Sequence, residues 1–153
     1  MTFKAVTRSE EETRRLAARL GRKARPGDVI CLAGPLGSGK TTFVQGFAKG
    51  AGFRGRTASP TFGLLRQYPA RRLRIYHADF FRIKPGELTN LGMEEWLQDP
   101  KGVCLIEWPD VARNVLPADR VEIKFSHRKD GGRAFQVQGL GSRSRQLIGQ
   151  SLP

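Results

Sequence analysis

Between Gly34 and Thr41 the chain carries Gly-x-x-x-x-Gly-Lys-Thr, a spacing suited to gripping a phosphate chain. Glycines at 34, 37 and 39 free the backbone, so that N–H groups through Gly37, Ser38 and Gly39 can converge on phosphate oxygens. Lys40 adds a point charge toward the β/γ-phosphates, and Thr41 a hydroxyl for a magnesium ion. Two acidic residues stand where strand-like runs end. Asp79 closes Arg72–Ala78, where a P-loop protein needs a second magnesium handle, and Glu107 closes Val103–Ile106. Glu107 is placed to orient an attacking water or to hold magnesium through one; a merely solvated strand-end glutamate is the plainer alternative. His77, two residues before Asp79, reads more readily as a packed strand residue than as a catalyst. Thr61, in Ser59-Pro60-Thr61-Phe62, becomes a switch candidate once a P-loop is near, its hydroxyl able to sense a γ-phosphate or its metal. The chemistry these types allow is phosphoryl transfer from a nucleoside triphosphate.

Positioning them needs a strand before the loop and a helix after it. Val29–Ala33 is an apolar run of strand length, and Phe43, Val44, Phe47 and Ala48 form a helical stripe that Gly50 is expected to cap. A helix should start behind Ser9, with Glu12 completing a capping box, and stop at Gly21. Thr13, Leu16, Ala17 and Leu20 share one face, and Glu10/Arg14 and Glu11/Arg15 pair at i,i+4 on the other. That helix could also wall a nucleotide base. Phe3–Val6 reads as an edge strand and Gly50–Ala58 as a mobile loop. Gly63–Tyr68 and Arg72–Ala78 read as an antiparallel pair joined by Pro69-Ala70-Arg71. The polar and aromatic segment Phe80–Gly102 holds one or two short helices, best placed over Met93–Gln98. Arg120–Ser126 and Arg133–Gln138 alternate around Lys129-Asp130-Gly131-Gly132 as a terminal hairpin, and the basic tail from about Gly141 is expected to fray.

At 153 residues, the expectation is one domain, residues 1–153, with a single core. No apolar run approaches a membrane span, and the first residues have no apolar signal region. Cys31 and Cys104 sit inside apolar runs and read as small buried hydrophobes, which with the rest points to a reducing, cytoplasmic setting. The formal net charge of +13 is unusual, and 19 of the 27 basic residues are arginines, which suit bidentate phosphate contacts. An anionic partner beyond the nucleotide is one reading; arginines scattered for solubility is the other.

In this order, Gly34–Thr42, Ser59-Pro60-Thr61-Phe62, His77-Ala78-Asp79-Phe80-Phe81-Arg82, Leu91-Gly92-Met93-Glu94-Glu95 and Leu105-Ile106-Glu107-Trp108 resemble the TsaE family. These are the accessory ATPases of bacterial tRNA adenosine threonylcarbamoyltransferase. The resemblance spans roughly residues 9 to 117. It implies an α/β, single-domain P-loop NTPase fold with a mixed, partly antiparallel sheet flanked by helices. It implies ATP and Mg2+ as cofactors, and ATP hydrolysis supporting N6-threonylcarbamoyladenosine formation in tRNAs that read codons beginning with A. It also implies TsaB and TsaD as partners, TsaD transferring the threonylcarbamoyl group, with direct tRNA contact possible and no membrane. Carried over by position, Lys40 contacts phosphates, Thr41 binds magnesium and Thr42 touches the nucleotide. Asp79 matches the Walker-B-like aspartate, and Glu107 and Trp108 the Glu-Trp pair needed for activity. Pro35 stands where the family usually has an acidic residue, and Phe81 where tyrosine is common. No role is carried beyond Pro117. Two other readings remain open: a small-molecule P-loop kinase, and an RNA-binding adaptor that uses ATP only as a structural ligand.

Overall fold

The computed structural model describes residues 2–57 and 65–153. The expectation for Thr61 and its tetrapeptide therefore falls outside the described residues. In chain order the elements are β1 (Thr2–Thr7), α1 (Glu10–Lys23), β2 (Val29–Ala33), α2 (Lys40–Gly50), β3 (Leu65–Pro69) and β4 (Arg74–Asp79). They continue with α3 (Met93–Leu97), β5 (Gly102–Glu107), β6 (Val121–His127), β7 (Arg133–Gly139) and α4 (Ser142–Ser151). A 3-10 turn at Pro85–Leu91 precedes α3, and a second follows β5 at Pro109–Ala112.

The sheet runs β1-β7-β6-β2-β5-β4-β3. Strands β6, β2, β5 and β4 are mutually parallel; β3 pairs antiparallel with β4 at one edge, and β7 pairs antiparallel with both β6 and the edge strand β1 at the other. The fold is thus α/β with a mixed, partly antiparallel sheet. β2 and β5 are apolar on both faces because helices cover both sides. One face carries Phe43, Phe47, Leu105 and Leu147 beneath α1, α2 and α4, and the other carries Tyr76, Trp96, Cys104 and Ile106 beneath α3. Cys31 and Cys104 are free thiols in that second layer, and burial pushes both up to about 12.

Several boundaries differ from expectation, each for a packing reason. Ser9 does cap α1, its hydroxyl accepting from the Glu12 N–H at 3.1 Å. The Glu12 carboxylate, however, accepts from the Arg8 N–H at 2.7 Å, one residue earlier than a capping box requires. Glu10 meets Arg14 as expected, but Glu11 also reaches Arg14, at 3.8 Å, rather than Arg15. Gly21 does not end α1, whereas Gly50 is the last residue of α2 and the cap falls on Ala51. A Cβ on Gly21 would stand 2.1 Å from the Phe47 carbonyl oxygen, and one on Gly50 2.2 Å from that of Ala18. Both glycines let α1 and α2 approach backbone to backbone, and α1 runs on to Lys23.

The tail beyond Gly141 is helix α4. Its Leu147 and Ile148 enter the core, and Leu152 follows them. Arg143 and Ser144 donate their backbone N–H groups to the Asp119 carboxylate at 2.9 and 3.0 Å, and hydrogen bonds from Ser144 and Arg143 hold that carboxyl below its ordinary range. The Arg143 guanidinium grips buried Asp28 with two bonds, at 2.9 and 2.7 Å. The sequence there looks like a basic tail only because its few apolar residues are spaced for one helical face.

Candidate functional site

β2 delivers the chain into the Gly34–Lys40 loop at the carboxyl edge of the parallel strands. A Cβ on Gly34 would come within 2.7 Å of the Phe125 carbonyl oxygen, so β6 itself demands glycine there. Gly39 is the N-cap of α2 at φ 105°, a conformation costly for any residue with a Cβ, and has no side chain to cap with. The Ser38 hydroxyl is buried with no hydrogen-bond partner among the described residues. An unpartnered buried hydroxyl costs stability; the Ser151 hydroxyl in α4 is the other one among the described residues.

Lys40 is buried. Its Nζ donates to the carbonyls of Gly34 and Pro35, at 2.5 and 3.0 Å, and lies 4.2 Å from the centre of a Trp108 ring. Proline at 35 therefore leaves the loop carbonyl usable. Burial pulls the Lys40 ammonium below its ordinary range, while the Glu107 and Asp79 carboxylates push it back. Thr41 and Thr42 occupy the first turn of α2, half-buried.

The two carboxylates are in register on adjacent parallel strands, Asp79 of β4 opposite Glu107 of β5. Asp79 is half-buried and accepts from the Phe81 N–H at 2.9 Å. Burial raises its pKa; that N–H bond opposes the shift and the nearby Glu107 charge adds to it. Glu107 is only 4% exposed, which rules out a solvated strand end. His77, on the same face of β4 and fully buried, lies with Nε2 at 2.6 Å from Glu107 Oε2. If the carboxylate is ionised it can only accept, and His77 Nε2–H is then the donor. On the far side of the ring, Nδ1 is 3.3 Å from the hydroxyl of buried Tyr68. His77, fully buried, thus fixes the position of the Glu107 carboxylate.

Replacing Asp79 by asparagine keeps the Phe81 bond and removes the charge. The raised pKa means the ionised form is disfavoured in the fold, so wild type loses stability as pH rises through that pKa. Asp79→Asn should accordingly melt above wild type at neutral pH without ligand, and the gap should close as pH falls below about 3.8. Thermal melts across that range check it; a variant melting lower at neutral pH contradicts the burial account.

Trp108 is the one non-glycine residue with positive φ among the described residues (φ 56°), and it precedes Pro109. Left-handed backbone costs about 1–3 kcal/mol, and a following proline restricts it further. The Trp108 N–H is anchored on the Leu32 carbonyl at 3.1 Å. The result is an indole over Lys40, packed against the second core layer and met by the half-exposed ring of Phe81 at 4.8 Å. Without a tyrosine hydroxyl, the ring at 81 meets Trp108 as an apolar surface.

Residues after Pro117 also reach this end, which no motif foretold. A cavity of about 240 Å³ opens beside Thr42, lined also by Thr7, Ser9, Thr13 and the β6–β7 turn at Gly131–Arg133. The start of α1 borders this cavity through Ser9, Glu10 and Thr13. The Arg133 stem passes 4.0 Å from where a Gly39 Cβ would sit, its guanidinium held on the Gly131 and Gly132 carbonyls. Nothing in the sequence separates this arginine from the other eighteen. Among the described residues no three His, Cys, Asp or Glu side chains converge as a ready metal cage. Asp79, Glu107 and the Thr41 hydroxyl are oxygen donors of the kind Mg2+ takes when phosphate oxygens and waters complete its shell.

A Gly-rich loop between a central parallel strand and a helix, facing two strand-tip carboxylates, defines a P-loop α/β protein. The family model described as "Threonylcarbamoyl adenosine biosynthesis protein TsaE" matches residues 7–135, so its match continues through the β6–β7 turn. The chain belongs to the TsaE family. It is 38% identical over 141 residues to the tRNA threonylcarbamoyladenosine biosynthesis protein TsaE of Bacillus subtilis, covering 92% of this chain and 88% of that one. The protein of the same name from Treponema pallidum is 38% identical over 136 residues, covering 88% and 99%. The crystal structure of YdiB from Bacillus subtilis superposes with a TM-score of 0.82 at 33% identity, covering 98% of this chain and 93% of that one.

Proposed function

We propose that this chain is the ATP-hydrolysing component of N6-threonylcarbamoyladenosine synthesis on tRNA, acting with TsaB and TsaD. The observation that carries the reading is Glu107: buried, bonded by His77, in register with Asp79 and electrostatically coupled to Lys40. ATP with Mg2+, when bound, supplies the phosphoanhydride to be cleaved. Gly37, Ser38, Gly39 and Thr42 hold the nucleotide, the buried Ser38 hydroxyl gaining the partner it lacks. Lys40 moves its ammonium from its own loop carbonyls to phosphate. Thr41 and Asp79 hold the metal, and Glu107 orients the attacking water or binds the metal through one. Thr61, by its place in the sequence, senses the γ-phosphate. Trp108 and Phe81 form an apolar lid that a partner can press upon.

In this reading hydrolysis waits for the partners, because no motif supplies an arginine to the phosphates and P-loops lacking one run about 10³–10⁵-fold slower. Phosphate release should be slow for the chain alone and rise at least tenfold with TsaB and TsaD. A fast enzyme alone, unmoved by partners or tRNA, would instead make it a stand-alone ATPase or kinase.

A further inference from the structure

Away from the nucleotide site, three concavities of about 720, 780 and 290 Å³ adjoin one another. The first two meet at Gly52 and the last two at Arg71–Leu73. They run from the middle of α1 and α2 to the ends of those helices, then to the β3–β4 turn and the amino ends of β4 and β5. This is the opposite edge of the sheet from the Gly34–Lys40 loop. No aspartate or glutamate lines any of the three. Arg22, Lys23, Arg25, Arg71 and Arg72 line the central concavity, and none of them forms an ion pair among the described residues. At the two ends of the tract Arg14 pairs with Glu10 and Glu11 and Arg74 with Asp99, so the unpaired charge is concentrated in the central concavity.

Helix ends explain part of this. Arg22 and Lys23 lie in the last turn of α1 and Lys49 in that of α2, where cations meet the negative end of the dipole. Arg25, Arg71, Arg72 and Lys101 are on no helix, yet they extend the same tract. So dense an unpaired charge repels itself and is disfavoured in the free protein unless something anionic covers it.

We propose that this tract, centred on the unpaired Arg22, Lys23, Arg25, Arg71 and Arg72 at the amino edge of the sheet, seats the phosphodiester backbone of an RNA. A nucleic-acid strand presents one charge about every 3.4 Å, which suits closely spaced guanidinium forks. A protein partner would want an apolar centre to its contact. The exposed large hydrophobics Val6, Leu36, Phe81 and Val115 all lie outside the tract. Leu36 and Phe81 are at the nucleotide end, which leaves that end for proteins and this one for RNA. The choice of tRNA as the probe rests on the proposed role in tRNA modification; the tract itself does not depend on ATP.

Anisotropy of a labelled tRNA transcript, titrated with the full chain at several salt concentrations, tests this. Arg71→Glu with Arg72→Glu should weaken binding at least tenfold near 0.1 M salt and flatten the log K against log salt slope by about two. Lys4→Glu with Lys84→Glu, an equal charge change outside the tract, should shift affinity less than threefold. Melting curves with and without ATP accompany each variant. An unchanged ATP-induced shift in the Arg71/Arg72 pair keeps the RNA result separate from the nucleotide reading. Equal losses in both pairs would mean diffuse attraction and overturn the proposal. So would displacement of tRNA by polyglutamate of matched charge, or no binding at 0.1 M salt.

Discussion

Lys40→Ala should lose the thermal stabilisation that ATP confers. At ATP near a hundred times its dissociation constant, ligand stabilises wild type by roughly 2.7 kcal/mol, a rise of about 5–10 °C for a chain of this size. The variant should show little of that rise. Its own melting temperature should change less, because Lys40 anchors no core contact: Nζ meets two loop carbonyls and an indole face. Burial already disfavours the ammonium, which offsets part of what those bonds contribute. Melting curves with and without Mg2+-ATP decide it, and equal shifts in both proteins would refute phosphate binding by this loop.

Glu107→Gln should cut turnover in the complete assembly by at least tenfold, toward the 10²-fold or more that a positioned acid–base group contributes. Nucleotide binding should fall much less, so the ATP-induced melting shift should persist. The amide keeps the shape of the side chain and can still accept from His77, so the lost charge is what the rate reports. His77→Ala complements it by leaving the Glu107 carboxylate buried without its partner. That should lower stability by about 1–3 kcal/mol and reduce turnover in the same direction. If Glu107→Gln hydrolyses ATP at the wild-type rate with partners present, the residue neither orients water nor holds metal.

The two variants probe parts of the site that were unequally visible beforehand. Lys40 is readable because its neighbours in space are its neighbours in sequence: glycines, lysine and threonine within eight residues, after an apolar strand and before a helical stripe. Asp79 and Glu107 were readable as strand tips, since each follows a run whose alternation or apolarity ends abruptly. That they lie side by side depends on β4 and β5 pairing in parallel register. A register slip of one residue would have turned one of them to the other face.

Local pattern by itself determined the loop, the start of α1 at Ser9, both antiparallel hairpins and the buried strand β2, because caps, turns and apolar runs act over a few residues. Tertiary structure alone decided four things. Gly21 continues α1 rather than ending it, since whether a glycine caps or permits close approach depends on what stands opposite. Ser142–Ser151 is an ordered helix because Asp119 and Asp28, far away in sequence, hold its first turn. His77 became the support of Glu107, and not a generic packed imidazole, through a contact thirty residues distant. Arg133 came to the phosphate loop, and Arg25, Arg71 and Arg72 to one unpaired tract, by chain crossings that no local spacing encodes. Charge carries no periodicity of its own: nineteen arginines are legible as a sum in the sequence, and only folding says which of them share a surface.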